Sequence, residues 1–308
     1  MRKVLFATTA LVALGGVSAA SADISVGGSA SWTMTSGSGD GYETDSQSYA
    51  TTVDFGISGS STLDNGMTVA GGLDLDENAD DTNAIDDSGF TVSGDFGTLG
   101  FGGYAESAHG AMAIDVTADE GNALHANYKV LLPGDHAIDH SDVSLKLPAI
   151  SGATISIGMT DGASDAADGT QAGISYTMDA GGMGVTVGYA SSSTGENGTD
   201  DSQVAVKVTS GDAAVTVISG EKGGGYSNSG VGVTYALNDS LTVQAYSGST
   251  ELNSNAAYEV KDTGIGFTYT VTPGMSVSVT SNDWSGKNGT ASAAESGTTT
   301  KLALDVTF

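Results

Sequence analysis

The sequence predicts an all-β chain: a 16-stranded antiparallel transmembrane β-barrel. Three observations predict it. From Ile24 onward, apolar and polar residues alternate with period two over stretches of about eight to twelve residues. Tight turns and longer polar loops join these stretches in strict alternation, so every tight turn falls at one end of the sheet. The stretches are even in number and both termini lie at the tight-turn end, which closes the sheet without a free edge, as lipid requires.

Residues 1–22 stand apart from this pattern. Arg2 and Lys3 precede an apolar run from Val4 to Leu14, and small residues follow, ending in Ala20-Ser21-Ala22. That order is a secretory signal peptide with an A-x-A cleavage site at Ala20 and Ala22, leaving residues 23–308 as the barrel. The run is too short to span a bilayer as a helix. Cleavage after Ala22 removes Arg2, the only arginine.

The strands follow in order. The alternation predicts Ile24–Thr35, Ser46–Ser60, Met67–Asp76, Ser88–Phe96 and Thr98–Ala105. After a much longer connection, about 106–141, it predicts Asp142–Pro148, Ala153–Thr160, Thr170–Met178, Met183–Ser192, Ser202–Thr209 and Ala213–Gly220. The last five are Ser227–Leu237, Ser240–Ser249, Ala257–Val271, Gly274–Asn282 and Thr298–Phe308. The final strand shows the design plainly: Leu302, Leu304, Val306 and Phe308 share one face, Lys301, Ala303, Asp305 and Thr307 the other. Turns such as Leu63-Asp64-Asn65-Gly66, Asp179–Gly182 and Asn238-Asp239 carry hairpin chemistry.

The two faces suit lipid and water. The polar face carries Thr, Ser, Gly, Asp and Lys, with Asp54, Asp74, Lys146, Lys207 and Lys301 at lumen parity. On the apolar face Phe96, Tyr176, Tyr235, Tyr269 and Phe308 fall near the tight turns, and Trp32, Tyr49 and Tyr189 near the long loops. Two aromatic levels flanking an apolar band are the girdles of a barrel in lipid. A secreted or surface-attached acidic β-sandwich, an adhesive or structural module, is the competing arrangement, because its strands alternate too. The loop alternation and the leader favour the barrel.

Composition narrows the function. Acidic residues number 37 against 9 basic, a formal net charge of −28. No clustered cations are available for phosphate contacts, so nucleic acid is excluded as a partner. The lack of cysteine removes disulfides, thiol nucleophiles and Cys-ligated metals. No nucleophile elbow or phosphate-binding loop occurs, and the chain is not expected to be an enzyme. A lumen-edge Ser, His and acid set of a hydrolytic barrel is neither shown nor forbidden by the residues. His109, His125, His136 and His140 share the longest connection at spacings that fit no zinc motif. The run Asp74–Asp81 alternates oxygen ligands but lacks the loop glycine of a calcium site. No cofactor is expected, with a divalent cation such as calcium at the acidic loops as the one exception.

The mature chain resembles the general diffusion porins of Gram-negative outer membranes, in their alphaproteobacterial type. The resemblance is carried by Ile24-Ser25-Val26-Gly27-Gly28, by Phe55–Gly72 with its Leu63-Asp64-Asn65-Gly66 turn, by Phe90–Tyr104 leading into the longest loop, and by the terminal strand ending in Phe308. It implies a homotrimer in the outer membrane, in contact with the lipid bilayer and lipopolysaccharide, passing small solutes and ions. It also implies a third long loop folded inward to narrow the pore, which places Glu106, Asp115, Asp119 and Glu120 at the constriction. Leu302, Leu304, Val306 and Phe308 match the terminal pattern that the family presents to the outer-membrane insertion machinery. The family's arginine cluster opposite the loop is missing here, so the acids are expected to make the pore cation-preferring.

Overall fold

The structure, a computed structural model, describes residues 23–39, 46–76, 86–112, 114, 141–160, 169–193, 200–222, 225–252, 258–288 and 295–308. The leader expected over residues 1–22 lies outside them.

Sixteen strands form one closed antiparallel barrel in which each strand pairs with its neighbours in sequence and the last pairs with the first. They are β1 Asp23–Gly39, β2 Ser46–Thr62, β3 Thr68–Asp76, β4 Asp86–Gly94, β5 Gly97–Gly102, β6 Val143–Lys146, β7 Ala153–Thr160 and β8 Gly169–Asp179. Then come β9 Gly184–Ser193, β10 Asp200–Ser210, β11 Ala213–Lys222, β12 Tyr226–Asn238, β13 Leu241–Leu252, β14 Tyr258–Thr272, β15 Met275–Asn288 and β16 Glu295–Thr307. A short helix, α1 Ala108–Met112, follows β5. A single closed sheet is not two packed sheets, and this removes the sandwich.

Alternation sorts the side chains as expected. On β8, Gly169, Gln171, Gly173 and Ser175 are buried inward while Thr170, Ala172, Ile174 and Tyr176 are exposed outward. On β12, Val231, Val233 and Tyr235 face out, with Gly230 and Gly232 behind them. Such an inside-out surface is stable only where the surroundings are apolar. The expected aromatics Phe96, Tyr176, Tyr235, Tyr269, Phe308, Trp32, Tyr49 and Tyr189 are all solvent-exposed on the isolated barrel.

Tight turns set the register. After β2, the Leu63 amide donates to the Met67 carbonyl (2.7 Å), and Gly66 takes a φ of 81° that a side chain would strain. After β12, Asn238 Oδ1 accepts from the amides of Ser240 and Leu241 at 2.9 and 3.0 Å. The barrel closes at its carboxyl end: Gly28 and Phe308 exchange backbone hydrogen bonds of 2.8 and 2.9 Å. The Phe308 ring lies edge-on to Phe55 with centroids 5.7 Å apart, over Gly28, where a Cβ would stand 2.8 Å from it.

The structure lengthens several strands toward the long loops. β15 runs to Asn288 rather than Asn282, β16 starts at Glu295 rather than Thr298, and β1 continues to Gly39. Outward positions there are Ser36, Ser38, Asp283, Ser285, Ser296 and Thr298, so both faces are polar and the hydropathy alternation fades. The ladder continues regardless, because backbone pairing does not depend on the side chain. Asp283 is thereby an outward acid, held by the Thr298 hydroxyl at 2.6 Å. Strand β5 is shorter than expected, ending at Gly102 where the chain turns inward, and β6 ends at Lys146, where the chain enters the tight turn to β7 ahead of Pro148.

Candidate functional site

The inward turn begins at Gly102, whose φ of 61° redirects the chain. Gly100 permits a close approach, since a Cβ there would stand 2.8 Å from the Ala105 Cα. The chain thus crosses the inner faces of β5 and β6 instead of leaving the barrel. Two bonds fix it to the wall. The Glu106 amide donates to Ser144 Oγ (2.7 Å), and Lys146 Nζ donates to Glu106 Oε1 (2.6 Å). Their side chains are 24% and 45% exposed, so the pair is partly screened by water.

Ser107 then caps α1: its Oγ accepts from the Gly110 amide at 2.9 Å and its carbonyl from the Ala111 amide at 3.1 Å. The helix lies in the lumen against β7, β8 and β9. It buries Ala111, Met112 and, just beyond it, Ile114. The wall beneath is made of small residues, among them Gly173, Ser175 and Gly188, and Met112 sits against Gly188. The described part of the third long connection, residues 103–112 and 114, therefore folds inward, as expected.

The sequence-predicted site residues divide into four groups. Glu106 and Lys146, read as separate members of loop and wall, are brought together as an ion pair. Asp54, Asp74, Lys207 and Lys301 all face the lumen but are spread around it. Asp54 Oδ2 accepts from Ser29 Oγ at 3.1 Å, and Asp74 lies beside Gly56 on the neighbouring strand. Lys207 stands between Thr186 and Thr216 in register, and Lys301 between Thr35 and Thr280. Asp115, Asp119 and Glu120 lie outside the described residues, as do Ala20 and Ala22. So do His125, His136 and His140, while His109 is part of α1. Leu302, Leu304, Val306 and Phe308 form the outward row of the terminal strand and its end. Among the described residues no group of three or more His, Asp or Glu is placed to hold a metal.

Sequence reasoning missed a lumen cluster on β13–β15. Tyr246 Oη donates to Asp262 Oδ2 at 3.0 Å, both buried, with Asn282 and Trp284 on the same wall. Parity was the available signal, since Asp262 shares the face of Gly264 and Gly266. Trp284 lay beyond the predicted end of its strand, where no face was assigned.

A family model described as Gram-negative porin matches residues 7–300. No curated protein matches the chain. Solved structures match over 93% of it. An anion-selective porin from Comamonas acidovorans superposes with a TM-score of 0.64 at 14% identity, over 100% of that chain. A mutant of the Rh. blastica porin gives 0.70 at 16% identity, also over 100% of that chain. The outer membrane channel DcaP of Acinetobacter baumannii gives 0.66 at 12% identity, over 97% of that chain. At these identities the likeness establishes the barrel and leaves the lining of the lumen to this chain's own residues.

Proposed function

The chain belongs to the Gram-negative porin family, a family of outer-membrane channels for passive diffusion, and from that premise we propose that its pore prefers cations. The mechanism has no reaction step. A barrel of sixteen strands encloses an aqueous lumen, the inward connection narrows it, and fixed charge at the narrow level biases which ion enters.

The observation that carries the preference is the Glu106–Lys146 pair. It sets Lys146 against Glu106, so that the two cancel and Lys146 is not available to offset the other acids of the wall. Lys207, Lys222 and Lys301 are the remaining lysines at lumen parity among the described residues. Asp54 and Asp74 have no salt-bridge partner among the described residues, and the chain beyond Arg2 has no arginine to face them. Salt screens charges over about 8 Å at physiological ionic strength. An ion inside a constriction passes closer than that to the wall, so the field there persists.

The same reading assigns Asp115, Asp119 and Glu120 to the constriction and places the protein as a homotrimer in contact with lipopolysaccharide. It gives Leu302, Leu304, Val306 and Phe308 to recognition by the insertion machinery. The test is the reversal potential of wild-type channels in a planar bilayer under a potassium chloride gradient. The expected sign is that of cation flow, weakening as total salt rises. Neutralising Asp115, Asp119 and Glu120 together is expected to move the potential toward zero. An anion-selective wild type contradicts the proposal.

A further inference from the structure

We propose that Gly188 is a size-determining residue of the pore: by carrying no side chain it lets the inward segment lie flat on the wall, and so keeps the lumen wide. This deepens the channel reading and rests on it. The segment from Glu106 to Ile114 has two fixed regions. At its start, Glu106 is bonded to Ser144 and Lys146. At its far end, Met112 and Ile114 press on the inner face of β9.

Gly188 is the glycine of β9 on which the far end of the inward segment rests. A Cβ built on it would overlap Met112 Cγ, stand 2.9 Å from the Met112 carbonyl oxygen and 3.2 Å from Ile114 Cδ1. The methionine side chain is flexible and can yield. The carbonyl is backbone, and it moves only if α1 moves. Met112 is fully buried, so its side chain yields only by displacing the residues around it. A segment tied at residue 106 and pushed at residue 112 swings away from the wall, into the lumen. A larger residue at 188 therefore narrows the pore without changing any charge.

The experiment compares Gly188→Ala, Gly188→Leu and the double variant Gly188→Leu with Met112→Ala. Each is first checked for heat-modifiable migration, which reports a closed barrel. Gly266→Ala is the control. Gly266 also faces the lumen, but a Cβ there meets Thr280 and the Val279 carbonyl rather than the inward segment. The readings are single-channel conductance and liposome swelling in uncharged sugars of graded size.

Conductance is expected to fall from wild type to Ala to Leu, with permeation of the largest sugars lost first. Met112→Ala should recover part of both in the Leu background, because it removes the side-chain overlap and leaves the carbonyl contact, and Gly266→Ala should leave the size limit unchanged. Unchanged or increased conductance in a closed Gly188→Leu barrel overturns the proposal, as does a Met112→Ala change that recovers none of the loss. Should the Leu variant not fold, the Ala variant decides by the same readings. A wild type that conducts nothing fails the channel reading itself, and is thereby told apart from a failure of the assignment to Gly188.

Discussion

Val233 and Thr234 are adjacent on β12 and meet opposite environments. Val233 is exposed outward at mid-strand, whereas Thr234 is half-buried toward the lumen. Val233→Arg is expected to cost roughly 2–4 kcal/mol at the bilayer midplane, and Thr234→Arg to leave folding nearly unchanged. A refolding titration into lipid compares them, and equal costs would contradict the parity on which the barrel rests. A second expectation concerns Lys146. Lys146→Gln releases Glu106 as an uncompensated acid at the start of the inward segment, so the reversal potential should move further toward cations. The stability cost should be about 1 kcal/mol or less, because the pair is partly solvated. An unchanged potential would show that Glu106 lies outside the field felt by the permeating ion. Both residues were legible as candidates, since one is a loop acid and the other a lumen-parity lysine. Their pairing was not, because it depends on Gly102 turning the chain across β6, and a period-two pattern carries no information about that crossing.

Among the elements, β16 and its last residue are the most informative. Phe308 was legible as the end of an apolar stripe, but its seat over Gly28 and its contact with Phe55 join the two ends of the chain in a way that alternation cannot report. Deleting Phe308 is expected to lower the yield of inserted protein more than Phe96→Leu, which alters an exposed ring in a turn. Heat-modifiable protein recovered from outer membranes measures this, and equal yields would reduce Phe308 to a girdle residue. Sixteen strands were readable because each needs an apolar outward row at mid-height. Their outer ends were not, since Ser36, Ser285 and Ser296 make both faces polar while the ladder continues. The helix α1 was hidden for a related reason: five residues give too little sequence for a helical period to register.

For the molecule as a whole, topology follows from both termini lying at the tight-turn end. The orientation we expect has the tight turns facing the periplasm and the long connections facing outside. A tag inserted at Gly198, in the connection between β9 and β10, should be labelled on intact cells, and one at Asn238 should not. Reversed labelling would invert the barrel. The charge of the lumen is likewise a property of the whole wall, which is why a shared fold with an anion-selective porin does not transfer its selectivity. The account's central claim is an open aqueous path through this barrel, and single-channel recording of the wild-type protein in a planar bilayer tests it most directly. Discrete conductance steps that rise nearly in proportion to salt at high concentration are predicted. A folded barrel that gives no steps would contradict it.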